Sequence, residues 1–229
     1  MIRRCVAEAL GTFAIVLFGC GSIAVLHGEP TAHVAVNLVF GLVVMAMVFA
    51  LGPLSAAHFN PAVTIGFSIA GRFPWRAAPG YIASQFVGAI AAVFLIQILI
   101  PAQGIAVQFG ATVPTIAPAL AVTSESVLTF FLMLVIMAVA TDLRVHSAIP
   151  GLAIGGTVSF CGLFAGPLTG NSMNPARSLA PALFAGGTAL GSVWIDFVGP
   201  IVGACGAGLV YEWLRMDRAS AQGAPSDLA

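Results

Sequence analysis

Apolar runs long enough to cross a membrane recur six times along the chain and are separated by short polar connections. A spanning helix needs about 20 predominantly apolar residues. The qualifying runs cover residues 5–26, 34–51, 78–100, 121–141, 148–166 and 191–214. The pattern therefore predicts an all-α membrane protein with six transmembrane helices. Composition agrees, because 7% of the residues are charged and 59% are hydrophobic, whereas soluble proteins carry about 25% charged residues.

Basic residues divide the connections into two sets. All eight are arginines. If the N-terminus is cytoplasmic, the positive-inside rule accounts for seven of them: Arg3, Arg4, Arg72, Arg76, Arg144, Arg215 and Arg218. Arg177 breaks the pattern, since it falls between the fifth and sixth runs, on the outer half. An arginine at membrane depth costs about 2.5–3.5 kcal/mol on insertion scales and indicates a functional site; an arginine paired within a loop is the structural alternative.

A short polar phrase occurs twice. "GPLSAAHFNPAV" begins at Gly52, "GPLTGNSMNPAR" begins at Gly166, and their asparagines, Asn60 and Asn174, are 174 − 60 = 114 residues apart. The glutamates of "AEALGTF" and "SESVLTF" and the segments "QFVGAI" and "DFVGPI" repeat at similar offsets. Each half contains three spans, an odd number, so the second half must enter the membrane inverted. Inverted repeats of this kind place a transport pathway at their interface.

Each repeated phrase leads into a short apolar piece, residues 63–71 and 177–186. Ten helical residues extend about 15 Å, half of the hydrocarbon core. Proline suits the first turn of a helix and asparagine suits the N-cap, so Pro61 and Pro175 should begin two re-entrant half-helices. Non-helical backbone before them is tolerated only where protein buries it or where it lines a wet cavity.

At this point the chain resembles the aquaporin or major intrinsic protein family over residues 3–214. The paired Asn-Pro-Ala phrases, "HFNPAVT", "NPARS" and the two Glu-x-x-x-Thr spans carry the resemblance. It implies an aquaporin-like fold with six transmembrane helices and two re-entrant half-helices in an inverted repeat, assembled as a homotetramer. The expected domain is residues 1–214, with repeats at about 1–105 and 118–214 and a disordered cytoplasmic tail at 215–229. The implied pore motifs are Asn60, Pro61, Ala62, Asn174, Pro175 and Ala176.

The resemblance also implies a selectivity filter of four residues, Phe40, Gly162, Asn171 and Arg177. Water-selective members usually have histidine where Gly162 stands, so the glycine is expected to widen the constriction. Asn171 adds a hydrogen-bond donor and an acceptor. The run "FAGPLTGNSMNPARS" is similar to nodulin-type plant channels and their bacterial relatives, whose substrates include boric, silicic and arsenous acid.

Three further polar residues are expected to support the pore. The resemblance suggests that Glu8 and Glu125 accept hydrogen bonds from the backbone of the re-entrant loops; a proton-coupling role is the alternative. His58, two residues before Asn60, is expected to line or support the cytoplasmic half of the pore.

The predicted function is a passive channel for water and small uncharged polar solutes, such as glycerol, urea or metalloid hydroxides, that excludes protons and ions. A strictly water-selective channel and an ion-coupled transporter are the alternatives, and a structural junction protein is a third. The residue patterns do not indicate an enzyme, a cofactor, a metal site or a nucleic-acid partner. We expect the bilayer of a bacterial inner membrane, with both termini cytoplasmic.

Overall fold

The computed structural model describes residues 1–141 and 149–222, with side chains described as far as residue 215, so Arg144 lies outside the described residues and Arg218 has no described side chain. Within these ranges the chain is helical. The helices are α1 Ile2–Val25, α2 Ala32–Ser55, α3 Pro61–Ile69, α4 Ala78–Leu99, α5 Pro101–Ala106, α6 Pro118–Thr141, α7 Pro150–Thr169, α8 Pro175–Ala185, α9 Gly187–Ser192 and α10 Ile195–Gln222, with 3-10 turns at Trp75–Ala77 and Gln108–Gly110. Six of the helical segments are long and apolar enough to span a membrane, which confirms the predicted fold class.

The end of α10 differs from the expected disordered tail. The helix continues through Gln222, so residues 215–222 are helical and the expectation of disorder from residue 215 was wrong there. The segment contains methionine, arginine, alanine and glutamine, which favour helix, and no glycine or proline before Gly223. Arg215 also ties α10 to the end of α6, because its Nη2 donates to the Thr141 carbonyl at 3.0 Å. Residues 223–229 lie outside the described part.

The two short helices begin where the sequence predicts. Asn60 and Asn174 have extended backbone and cap α3 and α8, each followed by proline in the first turn. Asn60 Oδ1 accepts from the Ala62 amide at 2.8 Å, and Asn174 Oδ1 accepts from the Ala176 amide at 3.0 Å. At 9 and 11 residues, these helices extend about 14 and 17 Å, half of a bilayer core.

Packing follows the internal repeat and brings the two short helices together. Helix α1 contacts α2 and α4, and in the same way α6 contacts α7 and α10. Each half-helix packs against the last span of the other repeat, α3 on α10 and α8 on α4, and α3 also contacts α8. Because the repeats interlock, neither half-helix is held by its own repeat alone.

Helices α2 and α7 cross at two glycines. A Cβ added at Gly155 would lie 2.4 Å from the Gly41 carbonyl oxygen, and one added at Gly41 would lie 2.5 Å from the Gly155 carbonyl oxygen. Small residues allow such backbone contact between membrane helices. Phe40 precedes Gly41, so it lies on α2 at the point where α2 crosses α7.

Candidate functional site

Two cavities meet inside the bundle. The inner cavity is lined by α2, α3, α6, α7 and α8 and by the loops before α3 and α8. The other cavity is lined by the start of α2, the loop at 107–113 and the end of α7. Phe40, Asn171 and Arg177 line both cavities. These three predicted filter residues therefore stand at the boundary between an open vestibule and the inner passage.

The two capping asparagines reach across to the opposite loop. Asn60 Nδ2 donates to the Met173 carbonyl at 2.6 Å, and Asn174 Nδ2 donates to the Phe59 carbonyl at 2.9 Å. A side-chain amide carries two N–H groups, so each asparagine keeps one donor beyond this reciprocal bond. Both residues line the inner cavity. The N-termini of α3 and α8 therefore meet at the inner cavity together with the free N–H groups of the two asparagines. Each N-terminus is equivalent to about half a positive charge.

Glu8 is buried in α1 and surrounded by donors from the first loop. Its Oε1 accepts from Ser55 Oγ at 2.7 Å and from the His58 amide at 3.0 Å. Its Oε2 accepts from the Phe59 amide at 2.6 Å and from Gln85 Nε2 at 2.7 Å. All four partners donate, which is the arrangement an ionised carboxylate needs. The carboxylate thus connects α1, the loop and α4.

Glu125 has matching contacts in the second repeat. Its Oε1 accepts from Thr169 Oγ1 at 2.6 Å and from the Ser172 amide at 3.0 Å, and its Oε2 accepts from the Met173 amide at 2.8 Å. Thr169 and Ser55 are the hydroxyl residues common to the two copies of the repeated phrase. The hydroxyl residue of each copy therefore donates to the buried glutamate of its own repeat.

These carboxylates hold loops with unusual backbone. Ala57, Phe59, Asn171 and Met173 all have φ near +50°, a left-handed conformation that disfavours L-residues by roughly 1–2 kcal/mol each. The amides of residues 58 and 59 bond to Glu8, while residues 57–59 also line the inner cavity. Anchored amides thus offset the strain of the backbone that surrounds the passage.

Arg177 is 3% exposed and lies on the first turn of α8, so it is not a surface loop arginine. Its Nη1 donates to the Gly110 carbonyl at 2.7 Å, and its Cζ lies 5.0 Å from the centre of the Phe40 ring. Among the described residues its Nε has no hydrogen-bond partner, nor has Asn171 Oδ1. Arg177 and Asn171 thus each keep one buried polar atom that no described residue bonds.

Gly162 does not leave the opening that its sequence position suggests. A Cβ added there would lie 2.0 Å from Asn37 Oδ1 and 3.1 Å from Asn171 Nδ2. The Asn37 side chain therefore occupies the space beside the glycine, and the expected widening of the constriction is reduced. Sequence reasoning missed Asn37, although a polar residue three positions before Phe40 lies on the same face of a helix.

His58 has both polar and aromatic contacts. Its Nδ1 lies 3.1 Å from Thr64 Oγ1, and its ring centre lies 4.7 Å from the rings of Phe67 and Phe73. The residue lines the inner cavity while 5% exposed. It thus packs the loop against α3 and contributes to the wall.

A third buried carboxylate, Asp196, belongs to a hydrogen-bond network that the sequence predictions did not include. Asp196 is 1% exposed and accepts a hydrogen bond from the Thr112 hydroxyl. Thr112 Oγ1 also lies 2.9 Å from Ser178 Oγ on α8. This network joins α10, α8 and the loop that carries Gly110, whose carbonyl receives the Arg177 bond.

Comparison with known proteins agrees with this geometry. The model of the family described as "Major intrinsic protein" matches residues 1–211. Aquaporin NIP1-1 of Zea mays is 42% identical over 217 residues, covering 93% of this chain and 75% of the relative. Putative aquaporin NIP4-1 of Arabidopsis thaliana is 40% identical over 217 residues, with coverage of 94% and 75%. An X-ray structure of the aquaglyceroporin from Plasmodium falciparum has a TM-score of 0.87 at 25% identity, covering 96% of this chain and 99% of that one. The chain therefore belongs to the major intrinsic protein family.

Proposed function

We propose that this protein is a passive membrane channel for water and small uncharged polar solutes, and that it excludes protons and ions. The observation that carries the proposal is the meeting of two half-helix N-termini in one cavity, with Asn60 and Asn174 bonded to each other's loops. A water oxygen between the two asparagines can accept from both. Held in that way, the water cannot pass a proton onward, and cations meet the positive ends of two helices.

The constriction in this proposal consists of Phe40, Gly162, Asn171 and Arg177. Phe40 and Arg177 form one wall, since the guanidinium lies over the ring, and its charge repels cations. Asn171 supplies an amide whose oxygen is buried without a partner among the described residues. A polar ring of this kind suits glycerol, urea or a metalloid hydroxide such as arsenous or boric acid, and the similarity to an aquaglyceroporin supports a solute larger than water.

A strictly water-selective channel is the second candidate. The specific observation in its favour is that Asn37 fills the space beside Gly162. A narrower passage would admit water and reject glycerol.

The orientation, domain bounds, assembly and membrane of the channel are proposed as well. A cytoplasmic position for both termini follows from seven arginines on one side of the predicted spans. The domain at 1–214, with repeats at 1–105 and 118–214, is supported by the matched bonds of Glu8 and Glu125, and a homotetramer is proposed from family membership. The relatives reported above are plant proteins, so they do not support the expected bacterial inner membrane, and the proposal is limited to an integral membrane protein.

Stopped-flow light scattering on proteoliposomes tests the channel. Val158 lines the inner cavity on α7 and is 8% exposed, so Val158→Trp should block water flux. Leu152, on the same helix, is 63% exposed, and Leu152→Trp is the matched control that should keep it. Wild-type vesicles no more permeable than empty ones would refute the proposal. Flux that depends on membrane potential or on an ion gradient would instead indicate a coupled transporter.

A further inference from the structure

We infer that Asn37 is a fifth residue of the constriction, and that its Oδ1 accepts a hydrogen bond from hydroxyl-bearing solutes as they pass. This inference rests on the proposed function and assigns part of its selectivity to a residue on α2. Asn37 is 7% exposed and contributes to the wall of the vestibule next to Phe40, Asn171 and Arg177.

The orientation of the Asn37 amide follows from its neighbours. Its Nδ2 lies 2.7 Å from the His33 carbonyl oxygen and 3.3 Å from His33 Nδ1. A backbone carbonyl only accepts, so the amide atom facing it must be the nitrogen. Oδ1 therefore points the other way, toward Gly162, and none of the described residues donates a hydrogen bond to it.

His33 holds this arrangement in place. Its Nε2 lies 2.9 Å from the Leu163 carbonyl oxygen on α7, and because that oxygen is an acceptor, Nε2 must carry the proton. Nδ1 of the neutral ring is then free to accept from Asn37 Nδ2. The contact with Leu163, the residue after Gly162, clamps α2 to α7 at the height of the constriction.

Two amides thus meet in the space that the glycine leaves. Asn37 Oδ1 and Asn171 Nδ2 lie 2.0 and 3.1 Å from the point where a Gly162 Cβ would stand. Asn37 Oδ1 supplies an acceptor there, and Asn171 and Arg177, which line the same cavity, add an amide and a guanidinium. A neutral solute with several hydroxyl groups can donate to the amide oxygens and accept from the guanidinium. In this passage the solute therefore regains more of the hydrogen bonds that it lost on leaving water than it would between apolar side chains.

The test compares glycerol and water permeability in proteoliposomes. Asn37→Leu keeps the volume of the side chain and removes the acceptor, so the glycerol-to-water permeability ratio should fall about threefold to tenfold, the range that one neutral hydrogen bond supplies. Asn37→Val, which is smaller, should move the ratio in the same direction if the leucine variant does not fold. Leu38→Ala, one residue further along and 46% exposed, is the control that should keep the wild-type ratio.

A ratio within twofold of wild type in folded, water-conducting Asn37→Leu or Asn37→Val would overturn the inference and leave the proposed function intact. Failure of wild type to conduct water would refute the proposed function itself. If wild type conducts water and excludes glycerol, the solute part of that function fails. In that case no glycerol passes Asn37 Oδ1 and the inference is overturned as well; glycerol flux through Asn37→Ala would then show that the side chain only blocks the passage.

Discussion

Replacing Glu8 by glutamine should loosen the first re-entrant loop. The substitution preserves the size of the side chain but exchanges one acceptor oxygen for an NH2 group. Oε1 accepts from Ser55 and the His58 amide, and Oε2 accepts from the Phe59 amide and Gln85. In either orientation, the new NH2 faces two groups that donate to Glu8: a backbone amide, which cannot accept, and either the Ser55 hydroxyl or the Gln85 amide, which can turn to accept.

The magnitude follows from the number of donors left without a partner. A hydrogen bond to a charged group contributes about 1.5–3 kcal/mol, so two lost bonds would destabilise the fold by about 3–6 kcal/mol. Gln85 can reduce this loss, because its Oε1 is buried without a partner among the described residues and a rotated Gln85 amide could accept from the new NH2. The Phe59 amide then remains unpaired, at about 1.5–3 kcal/mol, or a fall of roughly 3–12 °C in the unfolding midpoint.

Thermal unfolding in detergent followed by circular dichroism measures this loss, and stopped-flow scattering measures its effect on water permeability. Permeability should fall as well, because the Phe59 carbonyl receives the Asn174 amide. Glu212→Gln is the matched control: its side chain is 23% exposed and bonded to Arg72 at 2.7 Å, so its loss should cost about 1 kcal/mol or less.

An unfolding midpoint and a water permeability of Glu8→Gln both equal to wild type would refute the structural role of this carboxylate. A proton-coupling role makes a different prediction. In that case Glu8→Gln would unfold at the wild-type temperature, and solute flux would lose a dependence on the proton gradient.

Three other substitutions probe separate parts of the structure. Arg177→Ala should retain water flux and raise proton leak about tenfold or more, measured with a pH-sensitive dye in vesicles, because it removes a buried positive charge; an unchanged leak would contradict this. Thr112→Val removes the hydroxyl that bonds Asp196 and should lower the free energy of unfolding by about 1–3 kcal/mol, whereas Thr112→Ser should not. Gly155→Leu would place Cβ 2.4 Å from a carbonyl of α2 and should abolish folded protein on size-exclusion chromatography. Gly156→Leu, with no atom within 4 Å of its Cβ, should be tolerated.

Local patterns were sufficient to predict the helices and the repeat. The length of an apolar run predicts a membrane span because the thickness of the bilayer sets the number of helical residues needed. An asparagine followed by proline predicts the start of α3 or α8 because the N-cap bond joins residues two or three positions apart. The end of α10 was predicted less well: polarity suggested disorder after residue 214, but the composition favours helix as far as Gln222.

The contacts around the proposed constriction depend instead on where distant helices cross. Gly162 alone suggests an opening, yet α2 approaches α7 closely enough at Gly41 and Gly155 for Asn37 to fill it. Likewise, the partner of Arg177 is a carbonyl 67 residues away, at Gly110, in a loop with no recognisable motif. The spans, the inverted repeat and the capped half-helices could therefore be predicted from the sequence, because each follows from local periodicity and bonding. Which side chains come together around Gly162 depends on the distance and angle between helices far apart in the chain, so it became visible only in the folded protein.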